Sequence, residues 1–200
     1  ILNQLEKIVR PDVGSVSEKI NEFFAEIGLI GQDPSSTASR YAAIDAAKGV
    51  VVSFKSAAQG INSLRQLSDE RLKMAVADAN AYLQQLLSIQ KELLSNTSIE
   101  RNDLLDQRDK LLGELSEVLE IKVNYKDHGE MEVVAGTDGQ GRVILSGFER
   151  KYISGHNIEN QNRILISSTA EELGTTVQIS SGKVAGLLAA QYALGKTKGS

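Results

Sequence analysis

Residues 102–116 read N-D-L-L-D-Q-R-D-K-L-L-G-E-L-S, and residues 120–125, close behind them, read E-I-K-V-N-Y. The first stretch places its leucines three and four apart, which is the spacing of one apolar helix face. The second alternates apolar and polar residues, which is the spacing of a half-buried strand. This change of period near residue 120 separates a helical part from a strand-rich part and decides the fold class.

The helix at 102–116 is predicted in more detail. Asn102 or Asp103 is expected to cap its first free amide groups, because short polar side chains accept hydrogen bonds there. Its apolar face should be buried and its charged face exposed. We therefore expect burial of Leu105, Leu112 and Leu115 and exposure of Asp103 and Lys110.

Before this stretch, too, apolar residues recur three and four positions apart, which predicts helices. Residues 1–9 indicate the end of a helix stopped by Pro11, and Ser15 or Ser17 should cap a short amphipathic helix. Ser35 or Ser36 should begin a longer helix, and Ser68-Asp69-Glu70 looks like a new helix start after a break at 66–68. The two predicted apolar stripes are Ala43, Ala47, Val50, Phe54, Ala57, Ile61 and Leu64, and then Leu72, Val76, Ala79, Leu83, Leu86 and Leu93, interrupted by Gln90.

Alternating spacing with glycine-containing turns governs the residues after 120 and predicts a β-meander. Residues 148–150 are expected to form an irregular link. A closing helix is predicted at 183–194. The predicted strands are 121–125, 131–134 and 143–145, with turns at 127–129 and 137–141, and further strands at 164–167 and 176–179.

These patterns together predict an α+β fold that is mainly α. We expect an elongated antiparallel helical bundle, a small β-meander unit and a C-terminal packing helix, because long rods joined by short turns pack side by side. The expected division is a helical bundle at 1–119, a β-rich unit at 120–182, and a returning helix with a tail at 183–200.

Composition excludes several classes of function. The net charge is −4, and residues 1–119 hold thirteen basic and seventeen acidic side chains while residues 120–200 hold nine of each. Neither part is basic, so no nucleic-acid partner is expected. The chain has no cysteine and no tryptophan, and only 4% of its residues are aromatic. Thiolate chemistry is thereby excluded, and an aromatic ligand pocket is not favoured. No apolar run approaches the ~20 residues that cross a bilayer, so no membrane partner is expected.

Histidines and glycines give no strong sign of a cofactor or metal site. His128 and His156 each lie near a glycine in predicted turns and lack the spacing of a zinc site. Gly136, Gly139 and Gly141 resemble a phosphate loop superficially. They link two strands, however, and no Gly-Lys-Ser/Thr ending follows, so a hairpin turn is the better interpretation.

Carboxylates, serines and an Asn-Thr-Ser triplet give no strong sign of catalysis either. Asp103, Asp106 and Asp109 lie among cationic residues and indicate a solvated or ion-paired helix start. Ser167-Ser168 and Ser180-Ser181 have no base at motif spacing. Residues 96–98 match an N-glycosylation acceptor, but a polar turn between helices explains them. We expect no enzyme activity, no catalytic residue, no cofactor, no metal and no small-molecule substrate.

Four collinear segments carry a resemblance to a known family. They are I-L-N-Q-L-E-K-I-V at 1–9; S-E-K-I-N-E-F-F-A-E-I at 17–27, followed by D-P-S-S at 33–36 and Arg40; N-D-L-L-D-Q-R-D at 102–109; and V-V-A-G-T-D-G-Q-G-R-V-I-L-S-G at 133–147 with S-G-K-V-A-G-L-L at 181–188. In order and spacing the chain resembles the flagellar hook-associated protein 1 family, the proteins of the hook–filament junction.

This resemblance implies an internal fragment without the family's terminal coiled-coil segments, and a structural role. The implied partners are other copies of the protein, the hook protein, the second hook–filament junction protein, and an export chaperone that engages the family's C-terminal part. The implied location is the extracellular flagellum, reached through its export channel without a cleavable signal peptide. In dilute solution the fragment should be a monomer or a weak oligomer. The alternative from another class is a helical sensor or scaffolding module with a β appendage.

Overall fold

The structure, a computed structural model, describes residues 15–95, 101–126, 130–137, 141–158 and 161–196, with side chains to residue 194. The predictions for residues 1–9, for the Asn-Thr-Ser turn at 96–98 and for the turn at 127–129 with its His128 lie outside the described residues. In chain order the helices are α1 (Val16–Gln32), α2 (Thr37–Ser95), α3 (Arg101–Val118) and α4 (Gly182–Lys196). The strands are β1 (Ile121–Tyr125), β2 (Met131–Ala135), β3 (Arg142–Ser146), β4 (Glu149–Arg150), β5 (Tyr152–Ile158), β6 (Gln161–Ser167) and β7 (Thr175–Val177).

The mainly helical α+β fold predicted from the sequence is confirmed. The chain divides into two compact units, Ile1–Leu67 and Ser68–Ser200, with the boundary inside α2. We call residues 37–67 of this helix α2N and residues 68–95 α2C. The expected division at 1–119, 120–182 and 183–200 stays a prediction.

The first unit contains a helical hairpin. Ser15 caps α1, because its side chain accepts a hydrogen bond of 3.2 Å from the Glu18 amide. The Ser36 hydroxyl accepts a bond of 3.2 Å from the Ser39 amide at the start of α2. A Cβ atom added at Gly49 would lie 3.7 Å from Lys19 Cδ, so α2N runs back along α1. The antiparallel arrangement predicted from the short turn is present here.

The break predicted at 66–68 is wrong, because α2 continues through it to Ser95. Ser68-Asp69-Glu70 resembles a helix start only in its local chemistry. In the structure Ser68 is fully buried between two turns whose Leu64 and Leu72 are also buried. Helix propensity is a weak preference that such packing overrides.

In the second unit α2C and α3 also pack antiparallel. Arg101 Nη1 donates to the Leu93 carbonyl oxygen at 3.1 Å, near the end of one helix and the start of the other. Burial raises the pKa of Tyr82, and the charge of Glu114 raises it further, which places the middle of α2C beside the second half of α3. Sequence position therefore rises along one helix as it falls along the other.

The outcome for α3 is mixed. Leu112 and Leu115 are buried, and Asp103 and Lys110 are exposed, as predicted. Leu105 is only half-buried, because it lies in the first turns, before the fully buried part of the helix. The helix begins at Arg101, so neither Asn102 nor Asp103 is its cap. Asp103 still lies in the first turn, where a carboxylate suits the helix dipole.

The strands form two antiparallel sheets, in the orders β1-β2-β3-β4 and β5-β6-β7. The predicted meander is confirmed, since β1, β2 and β3 pair in sequence. The predicted irregular link at 148–150 instead includes β4, which follows a turn at Gly147 with a φ of 57°. β5 was not predicted: it contains Gly155 and Asn157, which are poor strand formers, and only its Ile153 is buried.

Candidate functional site

The most elaborate polar arrangement in the second unit fixes α2C to the two sheets. It begins at Asn80, whose side-chain amide pairs with the backbone of β5. Asn80 Nδ2 donates to the Ile153 carbonyl oxygen at 2.7 Å, and Asn80 Oδ1 accepts from the Ile153 amide at 3.0 Å. β5 is the edge of its sheet, so one side chain satisfies both backbone groups of a residue on an open edge.

Two glutamines further along α2C contact the other sheet. Gln84 Oε1 accepts a hydrogen bond of 2.7 Å from Arg150 Nε in β4. The Arg150 guanidinium also lies 4.2 Å from the centre of the Tyr152 ring, a cation–π contact. Gln90 is almost fully buried and donates to the Met131 carbonyl oxygen of β2 at 3.4 Å. Gln90, the polar residue that interrupts the leucine stripe, therefore makes a contact between α2C and β2.

Asp69, at the start of α2C, joins β6 and α4. Its Oδ1 atom accepts from Asn162 Nδ2 at 3.0 Å and from Gln191 Nε2 at 2.7 Å. Asn162 also donates to Gln191 Oε1 at 2.8 Å and accepts from Asn157 Nδ2 at 2.9 Å. The side-chain amides of Asn162 and Gln191 thus both donate and accept within one small network, which fixes the position of α4 against α2C.

A second set of contacts, around Glu120, holds the two sheets together. Glu120 Oε2 accepts from the Ser180 amide at 2.8 Å and from the Ser180 hydroxyl at 2.7 Å. The backbone amide of Ser180 is the main reason that the pKa of Glu120 is lowered, since a hydrogen bond to a carboxylate favours its charged form. The Thr137 amide donates to the Gln178 carbonyl oxygen at 3.2 Å beside it.

Gly136 is required at this contact. Its φ is 99°, and a Cβ atom there would lie 2.5 Å from Val177 Cγ2 and 2.7 Å from the Gln178 carbonyl oxygen. Both the backbone angle and the lack of space therefore favour glycine. Gly136 and Gly141 lie on either side of the connection between the antiparallel strands β2 and β3, as the hairpin interpretation predicts, while residues 138–140 of the predicted turn lie outside the described residues.

The remaining residues considered from the sequence are not brought together. His156 is not in a turn as predicted; it lies in β5 opposite Arg163, because the backbone pairs through Gly155 and Asn157 without interruption. Asp109 pairs with Arg108 at 2.7 Å, while Asp103 and Asp106 are exposed on α3. No group of three or more His, Cys, Asp or Glu side chains able to hold a metal ion occurs among the residues that the structure describes.

The predicted serine pairs have structural partners. Ser167 Oγ donates to the Thr169 carbonyl oxygen, and Ser168 Oγ accepts from Lys151 Nζ at 2.9 Å. Ser180 belongs to the Glu120 contact.

Within the described ranges, no helix has both the length and the apolar character needed to cross a bilayer. Taken together, the hydrogen bonds of Asn80, Gln84 and Gln90 fix α2C to the two sheets.

The contacts of Asn80, Gln84 and Asp69 could not be predicted from the sequence, in which Asp69 stands out only as part of a helix start. The sequence did contain a sign of these contacts. Each of the three is a polar residue next to a predicted apolar stripe, and Gln90 is a polar residue inside that stripe. The strand partners of Asn80 and Gln84 lie in β5 and β4, which the sequence did not predict. Without those partners the polar residues could not be distinguished from a solvated helix face.

Comparisons with known proteins agree on one family. The profile of the flagellar hook-associated protein FlgK helical domain matches residues 2–198. Flagellar hook-associated protein 1 of Salmonella typhimurium is 23% identical over 180 residues, which cover 88% of this chain and 30% of that protein. The protein of the same name from Bacillus subtilis is 24% identical over 131 residues, covering 64% of this chain and 26% of that protein. The chain thus spans less than a third of the length of these curated relatives.

A solved structure shares the fold. The flagellar hook junction protein FlgK from Burkholderia pseudomallei superimposes with a TM-score of 0.76 at 21% sequence identity. The match covers 88% of this chain and 33% of that one. The combination of long helices with two small sheets is therefore an arrangement that also occurs in an experimentally determined protein.

Proposed function

Because this chain belongs to the flagellar hook-associated protein FlgK helical-domain family, we propose that it is part of a structural subunit of the bacterial flagellum at the hook–filament junction. The observation that carries this proposal is the family match, which extends over residues 2–198. It also favours this function over a helical sensor or scaffolding module. The proposed activity is assembly, without enzymatic turnover.

The contacts of α2C support a mechanical role. This helix is hydrogen-bonded to β2, β4, β5 and β6 through Gln90, Gln84, Asn80 and Asp69. A subunit that joins two assemblies has to hold its own parts in fixed positions while its neighbours move. Side chains bonded to buried or edge backbone groups suit this role, because a shift of the helix would leave those groups unpaired.

The exposed apolar side chains of the first unit support contacts with other subunits. α1 has no buried residue, and large apolar side chains of α1 and α2N are exposed. Such surfaces are typical of protein–protein contacts. Those with at least two-fifths of their surface exposed are Phe24, Ile27, Leu29, Tyr41, Ile44, Val51, Val52 and Phe54.

The proposed partners are other copies of the protein, the hook protein and the second hook–filament junction protein. An export chaperone would bind the C-terminal part of the family's proteins. The proposed location is the extracellular flagellum, reached through its own export channel. We propose contacts that are individually weak and act together in the assembled array, since many linked contacts raise the effective concentration of each.

Deletion of the gene tests this function in the bacterium that encodes it. Electron microscopy should show hooks without filaments, and filament protein should appear in the medium. The complete gene, and the same gene with Asp103→Asn on the exposed side of α3, should both restore filaments. Normal filaments in the deletion strain would contradict the proposal.

A further inference from the structure

A groove of about 300 Å³ lies at the border of the two sheets in the second unit. The start of β3, the residue before β5 and the segment between β6 and β7 contribute to it. It belongs to none of the contacts described for α2C or Glu120. Its lining includes Arg142, Val143, Lys151, Ser168, Glu172 and Leu173.

The groove contains two cations that have no carboxylate partner among the described residues. Lys151 is held in place, since its amide donates to the Ile144 carbonyl oxygen at 2.8 Å and its Nζ atom donates to Ser168 Oγ at 2.9 Å. The backbone of Arg142 is held in β3, opposite Ala135, and the residue is exposed. Glu172 is the one acidic residue among the described residues of the lining. The formal charge of these residues is therefore +1, in a chain whose net charge is −4.

Apolar side chains lie beside these cations. Leu173 is 77% exposed and Val143 is 40% exposed. A leucine that is exposed to this extent gains from being covered, at ~25 cal/mol for each Å² of apolar surface removed from water. The lining thus combines a cationic centre with an apolar edge.

We propose that this groove binds a carboxylate side chain of a neighbouring protein subunit, with an adjacent apolar side chain packed on Leu173. One carboxylate neutralises the net charge of the groove, whereas a phosphate dianion would leave it with a net negative charge. Arg142 suits a carboxylate because guanidinium groups bind both of its oxygens. A small free carboxylate would leave Leu173 uncovered, which is why we assign the ligand to a protein segment.

This proposal rests on the proposed function only for the identity of the partner as a flagellar subunit. The chemistry of the ligand follows from the groove itself. Exposed charge pairs contribute little individually, so a single segment should bind with a dissociation constant on the order of 1–10 mM. Such a contact would become effective only in an array of many subunits.

The test is an NMR titration of the ¹⁵N-labelled chain with the peptide acetyl-Leu-Glu-Leu-amide. We expect saturable shifts of the amides of Lys151, Ser168 and Leu173. The acetyl-Leu-Gln-Leu-amide peptide should bind at least about fivefold more weakly, because it lacks the charge. Arg142→Gln with Lys151→Gln should abolish the shifts, while Lys110→Gln on α3 should not change them.

Three results would overturn the proposal. The first is the absence of shifts at these amides with peptide well above about 10 mM. The second is equal binding of the glutamine peptide, and the third is stronger binding of inorganic phosphate, which would indicate a small-anion site. The titration does not depend on motility, so a positive titration with normal filaments in the deletion strain would contradict only the flagellar function. A titration without shifts, together with hooks that lack filaments in the deletion strain, would contradict only the proposed binding to the groove.

Discussion

Two parts of one helix, α2N and α2C, have similar apolar periods and different surroundings. In α2C the predicted stripe is buried at all six of its positions, from Leu72 to Leu93. In α2N only Ala43 and Leu64 of the predicted stripe are buried, and Phe54 is mostly exposed. A helical period therefore identifies a face, but the neighbouring elements decide whether that face is covered. Hydrogen bonds join α2C to α3, α4 and both sheets of the same unit.

The comparison predicts a large difference between size-matched substitutions. Leu86 in α2C is fully buried and Ile44 in α2N is 51% exposed. Leu86→Ala should lower the free energy of unfolding by ~2–5 kcal/mol, because it removes buried contacts and leaves a cavity. Ile44→Ala should change it by no more than about 1 kcal/mol. Urea unfolding of both variants measures the difference, and similar losses would show that α2N is covered as well.

Two glycine-to-alanine variants, one at Gly136 and one at Gly113, test the contact between the two sheets of the second unit. Gly136→Ala should destabilise the chain by ~1–3 kcal/mol, because its φ is 99° and the added methyl would meet Val177 and Gln178. Gly113→Ala, in α3, where the new Cβ would meet nothing within 4 Å beyond the backbone of its own helix and its chain neighbours, should stabilise it by up to ~1 kcal/mol. Thermal unfolding should therefore shift in opposite directions. Shifts of the same sign would contradict the tight approach at Gly136.

The edge contact of α2C gives the next prediction. Asn80→Leu leaves the amide and carbonyl of Ile153 without their side-chain partner, which should cost ~1–3 kcal/mol. Gln85→Ala is the control, since Gln85 is an exposed amide on the same helix. Urea unfolding should separate the two variants. If Asn80→Leu were as stable as the control, Asn80 would not fix the helix to β5.

The pH dependence of stability tests the Glu120 contact and is the smallest predicted effect. The pKa of Glu120 is lowered below its ordinary value of 4.5, mainly by the Ser180 amide. The unfolded chain therefore binds this proton at a higher pH than the folded chain. The stabilisation is fully present above pH 4.5 and is lost as the pH falls through the folded pKa.

The matched variant for this contact is Glu120→Gln, which keeps an oxygen acceptor but cannot titrate. The stability difference between wild type and variant should be largest at neutral pH and should narrow on acidification below pH 4.5. The pKa of Glu132 is lowered by Lys126 in both proteins, so its contribution to the pH dependence cancels in the difference between them. A difference that stays constant with pH would mean that Glu120 contributes no charge-dependent stability.

The fold class, the meander and the buried face of α2C could be predicted from the sequence, because each depends on a local period. The break at 66–68 was wrong because the packing of Leu64 and Leu72 outweighs the local helix-start chemistry of Ser68 and Asp69. β5 was missed because Gly155 and Asn157 disrupt its pattern. The contacts of Asn80 and Glu120 join residues 73 and 60 positions apart in the chain, and no local pattern records such a pairing.

The central claim is that α2C is held by contacts within this chain, whereas apolar side chains of α2N are exposed, and the proposed function assigns these to contacts with other subunits. Hydrogen exchange of the isolated chain, resolved along α2, tests it most directly. Amides in well-packed segments open only near the global free energy of unfolding, while those in poorly covered segments open at much lower cost. We predict that amides in residues 68–95 exchange at least about 100-fold more slowly than those in residues 37–67. Equal protection along the whole of α2 would contradict the account.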